Sequence, residues 1–334
     1  NDFCYTEVTS LDNWKKRINT PQEIKIPSTY ISSNAWLLNA SLFKSKNLDL
    51  IYKKITSSNP TLETIIGSEN ISNGIQTSAD KIYIHEPTRR DKDYIYFKKD
   101  GKDWKIENEL TRPYFKKPKR GGDDGLHTHR AFTPNSFVIY PYEKIGGKVK
   151  LVNLKELKNR CPFLHKYLTT FKDKLSKRSM QKALPNEWHQ YGRNQNLDKG
   201  SALEKIIVGV QSRGNKYAVD TSGALSTSGG TAGYAMIKIP DNFEYSSYYL
   251  QALLNSKYVE WIASLYGEVF RGGYISRGTK VFRRFPIIEI DFKDEESKKY
   301  HDLISDAQIE IIKTFTKMDQ CRTDPRRFKP LEKN

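Results

Sequence analysis

The sequence predicts an α+β fold with mixed or antiparallel sheets and packed helices. Three observations support this prediction. Short β-rich segments are separated by polar runs of the length found in antiparallel pairs. Amphipathic helical stretches lie in separate blocks of the chain, and no internal repeat is present. These patterns place strands and helices together around sizeable cores.

The first part of the chain is predicted to be a helical connector, residues 1–66. Apolar residues recur near helical spacing over Ser41–Ile55, and Ser57–Pro60 carries the Ser, Asn and Pro that end a helix. A second short helix is predicted at Thr61–Ile66. We place a domain boundary near Gly67, where the pattern changes to strands.

Residues 67–290 are predicted to form the main domain. Lys81–His85 and Tyr94–Phe97 are β-rich, and the polar run between them predicts that they pair antiparallel. Further strands are predicted at Asp103–Ile106, Phe137–Tyr142, Ile206–Val210, Tyr217–Asp220, Tyr234–Pro240 and Phe285–Ile290.

Helices are predicted where apolar residues recur every three to four positions. Leu154–Lys182 is the clearest stretch, with Cys161-Pro162 placing a proline in the first turn of a helix. Tyr248–Ala263 is a second helix, and Asp294–Met318 is a third within a C-terminal helical segment, residues 291–334.

Composition excludes two classes of protein. The chain has 334 residues, 12% of them aromatic, and therefore enough large side chains to bury a core, which argues against intrinsic disorder. No apolar run approaches the ~18 residues of a membrane span, so an integral membrane protein is not expected. The widely spaced Cys4, Cys161 and Cys321 predict free thiols and a cytoplasmic location. The start at Asn1, without Met, predicts a fragment of a larger protein.

The charge of the chain is strongly positive and clustered. Lys and Arg number 56 and Asp and Glu 39, a net +17. Leu151–Lys182 holds nine basic and two acidic residues, Arg271–Arg284 holds five basic and no acidic residues, and Lys116–Arg120 holds four basic residues in five positions. Such clusters suit DNA phosphates, although each alone could be a solvated face.

Two segments carry more specific features. Phe270–Tyr274 contains paired glycines, which allow close backbone approach, beside Arg271 with its fork-shaped donor. Trp188–Gln195 combines aromatic rings with Arg193 and Gln195, the side-chain types that make bidentate contacts to guanine and adenine. An aromatic loop capped by polar residues is the structural alternative for this second segment.

Motifs of catalysis are not found. The sequence has no phosphate-binding loop of the Walker type and no dinucleotide fingerprint. Asn59–Leu62 only partly resembles the Asn-Pro-Pro-Tyr motif of adenine-N6 methyltransferases, because the second Pro and the Tyr are absent. Asp123, Asp124, His127 and His129 share one loop without a further anchored ligand, so we predict no metal site. We therefore predict no catalytic residue and no cofactor in this fragment.

The order of motifs resembles the TaqI-like C-terminal specificity domain of adenine-specific DNA methyltransferases and of single-chain (type IIG) restriction–modification enzymes. The resemblance covers Gly74 to Ile287, about two-thirds of the chain. Its segments are Gly74–Thr77, Leu110–Pro113, Ile139–Tyr142, Cys161–Leu164 with the residues to Arg178, Trp188–Gln195, Lys205–Val208, Gly229-Gly230, Tyr249–Lys257, Phe270–Gly273 and Phe285–Ile287. The chain departs from the family at Gly209, usually Pro, and at His189, usually Tyr.

The resemblance implies a DNA target-recognition module of a bacterial phage-defence enzyme. Its partners would be double-stranded DNA and a methyltransferase domain of the same parent chain, into which an adenine is flipped. The parent would be an adenine-specific DNA methyltransferase, with or without a fused endonuclease. S-adenosylmethionine would bind in the missing domains, with a need for Mg²⁺ there left open.

We assign two sets of residues within this module. Base reading is predicted for loop side chains, namely Gln76, Thr77, Arg193, Gln195 and Arg213. Contacts to DNA phosphates are predicted for Arg112, Lys116, Lys117, Lys119, Arg120, Arg178, Lys182, Arg271, Gly272, Gly273, Arg277 and Lys280.

Two other functions remain open from the sequence. The basic surface could serve protein assembly in a methyltransferase complex that holds DNA elsewhere. An autonomous nuclease or methyltransferase would need motifs that the sequence does not show, and S-adenosylmethionine binding would test the latter.

Overall fold

The structure, a computed structural model, gives the path of most of the chain. It describes residues 3–6, 10, 12, 15–16, 23–26, 46–117, 126–178, 184–200, 202–228 and 233–323. Helices and strands make up most of these ranges and pack mainly around two cores.

The strands are short, and most pair antiparallel. In chain order they are β1 (Phe3–Thr6), β2 (Glu23–Ile26), β3 (Ile71–Asn73), β4 (Ile84–His85), β5 (Arg89–Arg90), β6 (Tyr94–Lys99), β7 (Lys102–Glu107), β8 (Thr111–Phe115), β9 (Ser136–Ile139), β10 (Tyr142–Ile145), β11 (Lys148–Leu151), β12 (Lys205–Gly209), β13 (Gln211–Ser212), β14 (Tyr217–Asp220), β15 (Leu225–Ser226), β16 (Tyr234–Lys238), β17 (Val269–Phe270) and β18 (Tyr274–Ser276).

Helices cover one side of each core. They are α1 (Lys46–Ser58), α2 (Leu62–Ile66), α3 (Asp80–Tyr83), α4 (Leu154–Arg160), α5 (Pro162–Thr170), α6 (Lys172–Ser176), α7 (Leu197–Gly200), α8 (Ser247–Leu254), α9 (Lys257–Tyr266), α10 (Thr279–Phe282) and α11 (Glu295–Thr323). Within the described residues, no helix is both long and apolar enough to cross a bilayer.

The first core lies between small sheets and the helices α4 to α6. Its sheets have the strand orders β15-β8-β9-β4 and β5-β6-β7. Tyr83, Phe97 and Tyr167 are fully buried in it, with His85 stacked 4.3 Å from the Phe97 ring. Glu107 on β7 accepts hydrogen bonds from the first backbone N–H groups of α5, which fixes that helix to the sheet.

The second core lies under a sheet of order β14-β12-β16-β3 and the helices α8 to α10. Ile206 and Val208 on β12 point into this core. The residue between them, Ile207, packs on the other face against Phe115 and Met236. A strand buried on both faces explains the continuous apolar run in its sequence. The segment between β14 and β16 carries β15 into the sheet of the first core, where β15 pairs parallel with β8, and this segment joins the two cores.

Several predicted helices and strands are present with bounds within a few residues of the prediction, and others differ. The predicted helix Thr61–Ile66 is α2, but its Leu62 and Ile66 are buried in the second core rather than in a separate connector. The predicted strand Lys81–His85 was wrong for its first part, because the chain there forms α3. The following β4 pairs with β9, so its predicted partnership with Tyr94–Phe97 was also wrong.

Long predicted elements are divided in the structure. Leu154–Lys182 contains three helices up to Ser176, and residues 179–183 lie outside the described part. Tyr248–Ala263 corresponds to α8 and α9, which Ser256 separates by capping α9 through its hydroxyl. Phe285–Ile290 is not a strand; Phe285 and Ile287 anchor it in the second core. The predicted C-terminal helix is α11.

Candidate nucleic-acid interface

A cleft of about 630 Å³ lies beside the predicted base-reading residue Gln76. Its walls come from residues 75, 76 and 78–82, the end of β6 with Asp100, Phe171 just before α6, and Thr227 with Ser228. Three lysines line it, namely Lys81, Lys99 and Lys174. The Lys99 and Lys174 ammonium groups lie 5.6 and 5.9 Å from the centre of the Phe171 ring. The cleft is therefore concave, aromatic on one wall, and rich in cations.

Two carboxylates moderate this charge. Lys99 Nζ lies 2.5 Å from Asp100 Oδ1, which lowers the pKa of Asp100 and keeps it ionised. Asp80 accepts a hydrogen bond from the Thr77 hydroxyl. Lys81 and Lys174 are exposed and add positive charge at the rim. An anionic ligand such as a DNA backbone suits this balance.

Gln76 and Arg193 lie side by side although they are far apart in sequence. They form an isolated antiparallel bridge in which Arg193 N donates to Gln76 O at 3.2 Å. In the neighbouring hydrogen bond, Gly192 N donates to Thr77 O at 2.9 Å. Arg193 is exposed and Gln195 half-buried. The structure thus brings together two of the predicted base-reading segments.

Glycine at position 192 is required by this contact. A methyl group there would lie 2.1 Å from the Ser78 hydroxyl and 2.4 Å from Ser78 Cβ. Gly74 has a similar role, since a methyl group would lie 2.1 Å from the carbonyl oxygen of Ser226. The close approach of these backbones explains why both segments carry glycine.

Arg178 links the Gln76 segment to the Trp188–Gln195 segment through hydrogen bonds. Its guanidinium donates to three backbone carbonyls, those of Thr77 at 2.8 Å, Trp188 at 3.0 Å and Gln190 at 2.7 Å. Its Nε donates to Leu175 O at 2.9 Å. These bonds engage Nε, Nη1 and Nη2, so the structure does not support the predicted phosphate contact for Arg178. Arg178 instead positions the loops that carry Gln76 and Arg193.

A buried group of tyrosines supports the same loop. Tyr142 Oη accepts from Tyr191 N at 2.5 Å and donates to Asn194 Oδ1 at 2.8 Å. Tyr191 Oη donates to Ile139 O, and Tyr83 Oη donates to His189 O. Burial raises the pKa of the phenols of Tyr83, Tyr142 and Tyr191, so they stay neutral donors. The loop therefore rests on fixed hydrogen bonds.

A second group of predicted residues lies on the small sheet β13-β18-β17. Its β17–β18 turn contains Gly272 and Gly273 with φ +85° and +77°, a conformation that favours glycine. Arg271 in this turn is exposed. The Arg213 guanidinium lies 5.0 Å from the Tyr274 ring and packs over the turn at Gly272. Arg213 and Arg271 therefore share one exposed tip.

Two further predicted residues have structural roles instead. Arg277 is fully buried, and its Nη2 donates to both oxygens of Glu260 at 2.7 and 2.6 Å. Its other nitrogens bond Ser212 and Asn215, so the phosphate assignment of Arg277 is wrong. Thr77 is 1% exposed and donates to Asp80, which leaves it unable to reach a base.

The remaining predicted contacts are at the surface or outside the described residues. Arg112 is half-buried and donates to Thr111 O at 2.7 Å, and Lys116 Nζ lies 3.5 Å from Glu86. Lys117 and Lys280 are exposed. Lys119, Arg120 and Lys182 lie outside the described part of the chain.

Sequence reasoning missed Lys81 and Lys174 as residues of the cleft. Lys174 belongs to the counted basic cluster, but its neighbours in the sequence do not show which lysine faces Gln76. Lys81 was assigned to a strand. His129, considered above for a metal, stacks 5.6 Å from the Phe315 ring of α11.

Comparison with known proteins gives one informative relative. No family model matches the chain. Over 323 residues, it is 42% identical to an Escherichia coli protein described as Type II restriction enzyme and methyltransferase RM.Eco57I. The aligned region covers 94% of this chain and 31% of the relative, so the chain spans about a third of the relative's length. Nearly the whole chain is therefore similar to one region of a restriction–modification enzyme.

Proposed function

We propose that this chain is the double-stranded DNA recognition module of an adenine-N6 DNA methyltransferase, of the TaqI-like type IIG restriction–modification kind. The similarity to a region of a type II restriction enzyme and methyltransferase supports this proposal. So does the net charge of +17, which is typical of proteins that bind a polyanion.

The observation that carries the proposal is the pairing of Gln76 with Arg193 beside the lysine-lined cleft. Arg reads guanine and Gln reads adenine by bidentate hydrogen bonds in the major groove. Both residues lie on loops whose backbones are held by Arg178 and the buried tyrosines, so little backbone entropy is lost when they meet a base edge. Gln195 extends the same loop.

Phosphate contacts are assigned to exposed cations around these loops. Arg271 at the β17–β18 turn, with Lys117 and Lys280, keeps the phosphate-contact role predicted from the sequence. Arg213, predicted to read bases, packs over the same turn. Lys81 and Lys174 join them from the cleft. Such contacts fix the position of the module on DNA without selecting a sequence.

The chemistry of the parent is proposed to lie outside this chain. A methyltransferase domain would bind S-adenosylmethionine and receive the flipped adenine, while this module holds the flanking duplex. The expected setting is the bacterial cytoplasm and phage defence.

A salt titration with random duplex DNA tests DNA binding against protein assembly. Each phosphate contact contributes about −0.9 to the slope of log K against log salt concentration, so four to five contacts predict a slope of about −4. A slope near zero would favour the assembly function and contradict the proposal.

Paired variants test the division between positioning and reading. Arg271→Ala should weaken binding equally on all duplexes, because it removes a phosphate contact. Gln195→Ala should change discrimination at one base pair by about 1–3 kcal/mol. Equal loss on every DNA from both variants would contradict the assigned roles.

A further inference from the structure

The C-terminal helix α11 has two faces, and only one of them is covered. Its inner face packs on the body of the protein. His301 Nε2 accepts from Ser246 N at 2.9 Å, Gln308 Nε2 donates to Thr128 O at 3.2 Å, and Phe315 stacks on His129. These residues recur at seven-residue intervals and hold the 29-residue helix in place.

The outer face carries a continuous apolar stripe. Its members are separated by four, three, four, three and four residues and are all exposed: Tyr300, Ile304, Ala307, Ile311, Thr314 and Met318. Tyr300 is 56% exposed, Ile304 41%, Ile311 39% and Met318 44%. This spacing is the a/d pattern of a two-stranded coiled coil.

Single exposed apolar residues need no explanation, since much of any protein surface is apolar. A stripe that keeps heptad spacing over nearly three heptads is different. Along a rigid helix, it presents knobs at the intervals that a second helix accepts. Only the inner face is needed to fold α11 onto the body.

We propose that this outer face pairs with the α11 helix of a second copy of the chain, in antiparallel orientation. A two-fold axis between Ala307 and Ile311 makes the stripe complementary to itself. Ile311 then faces the small Ala307 of the second copy, Ile304 faces Thr314, and Tyr300 faces Met318. Each layer joins two residues that fill the space between the helix axes.

The charge along α11 favours the same orientation. Exposed side chains between Glu295 and Asp306 have a net charge of −2, from four acidic and two basic residues. Up to Cys321, the exposed charged side chains of the later half are Glu310, Lys313 and Lys317, a net charge of +1, while Asp319 is paired with Arg130. Antiparallel helices place the acidic half of one against the basic half of the other. Glu310, which lies near the axis, is neutralised by Lys313 at 2.7 Å.

The contact between the two helices is small, which favours a weak dimer. From Tyr300 to Met318 the stripe is about 27 Å long at 1.5 Å per residue. Such a contact falls at the lower end of specific interfaces. We therefore expect a reversible dimer with a dissociation constant on the order of 10 µM.

Sedimentation equilibrium of the purified chain from about 1 to 200 µM tests the proposal. The unsubstituted chain should move from monomer to dimer across this range, and Ile304→Lys with Ile311→Lys should weaken dimerisation at least ~30-fold. The matched control is Ile145→Lys, because Ile145 is 53% exposed on β10 and lies outside α11. It should dimerise like the unsubstituted chain.

Two outcomes would overturn the proposal. A monomer at every concentration, or equal dimerisation of the double variant and the control, would exclude pairing through this stripe. Circular dichroism at 1 µM should show the same helix content in all variants, which separates lost pairing from lost folding.

Crosslinking tests the orientation. In the antiparallel pair, Ser297 faces Cys321 of the second copy, so Ser297→Cys should give an interchain disulfide on mild oxidation, and Cys321→Ser should abolish it. In a parallel pair Cys321 would face Cys321 of the second copy. A dimer crosslinked through Cys321 in the unsubstituted chain would overturn the antiparallel arrangement.

Discussion

Arginine residues that look alike in the sequence have three different roles in the structure. Arg271 is exposed on a turn, Arg178 donates to three loop carbonyls, and Arg277 is buried against Glu260. The acceptors around each guanidinium decide its role, and only the first is available to DNA. This difference separates variants that affect folding from variants that affect binding.

Replacing Arg277 should destabilise the fold without changing DNA affinity. In Arg277→Gln the buried acceptors of Ser212 and the Glu260 carboxylate lose their partner, which should lower the free energy of unfolding by about 3–5 kcal/mol. Urea denaturation measures this. Arg271→Gln is the matched control and should change unfolding by less than ~0.5 kcal/mol while weakening DNA binding. Stability loss in the control, with none in Arg277→Gln, would contradict these roles.

Replacing Arg178 should loosen base reading. Lysine at this position cannot serve the carbonyls of Thr77, Trp188 and Gln190 with the same planar geometry. Arg178→Lys should therefore reduce discrimination between the selected duplex and a single-mismatch duplex by about tenfold, with a smaller effect on random DNA. Competition binding measures the ratio. An unchanged ratio would mean that Arg178 does not position the loops.

Stability should fall as the pH decreases from 6.5 to 4 because of His85. Burial lowers the pKa of this histidine from 6.5 to about 4, and its Nε2 lies 2.8 Å from Ile82 O. The unfolded chain therefore binds the proton more tightly, and up to about 3 kcal/mol of stability is lost below pH 4. Burial also lowers the pKa of His189.

Urea unfolding at pH 7.5 and 5.0 measures this effect. His85→Gln should show a pH dependence weaker by about 2 kcal/mol than the unsubstituted chain. An equal change in unfolding free energy between the two pH values in both proteins would exclude His85 as the source of the pH dependence.

The sequence could identify the segments of the candidate site but not every residue in it. Gln76, Arg193 and Gln195 were predicted because their side-chain types match base edges. Arg178 was misassigned because its acceptors are backbone carbonyls from distant segments, which no local pattern shows. Lys81 and Lys174 were missed for the same reason, since the fold alone brings them to the cleft.

At the scale of elements, the two segments proposed to read bases depend on glycine. Gly192→Ala would place a methyl group against Ser78 and move Arg193 away from Gln76. We expect a loss of about 1–3 kcal/mol in unfolding free energy and a loss of discrimination between duplexes. Gly146→Ala is a control for surface glycine, because a methyl group there meets nothing within 4 Å. Its φ of +58° adds backbone strain, but DNA discrimination should be retained.

Periodicity predicted long helices better than short segments. α11 and the helices after Leu154 follow apolar spacing that one face of a helix must bury. Lys81–His85 was misassigned because its three β-prone residues, Ile82–Ile84, suit a strand. The structure instead has a helical turn at Asp80–Tyr83, next to the Thr77 hydroxyl, which donates to Asp80 and accepts from Ala79 N. The strand prediction for Phe285–Ile290 was wrong because most of its apolar residues are buried in the second core without pairing as a strand.

At the scale of the whole molecule, two cores are joined by the segment that carries β15 from the second sheet into the first. A third apolar cluster, which includes Phe115 of β8 and Ile207 of β12, lies on the other face of the second sheet. Pairing of β15 with β8 brings Thr227 and Ser228 beside the loop of Gln76, so the cleft forms at the edge of the first core. Connections of this kind cannot be read from the sequence, because β8 and β15 are separated by more than a hundred residues.

Selection of bound duplexes from a random pool tests the central claim most directly. The purified chain should enrich one consensus sequence, and Gln195→Ala should relax that consensus at a single position while Arg271→Ala leaves it unchanged. A pool that remains random after several rounds, although DNA is bound, would show that the chain binds DNA without reading it and would contradict its assignment as a recognition module.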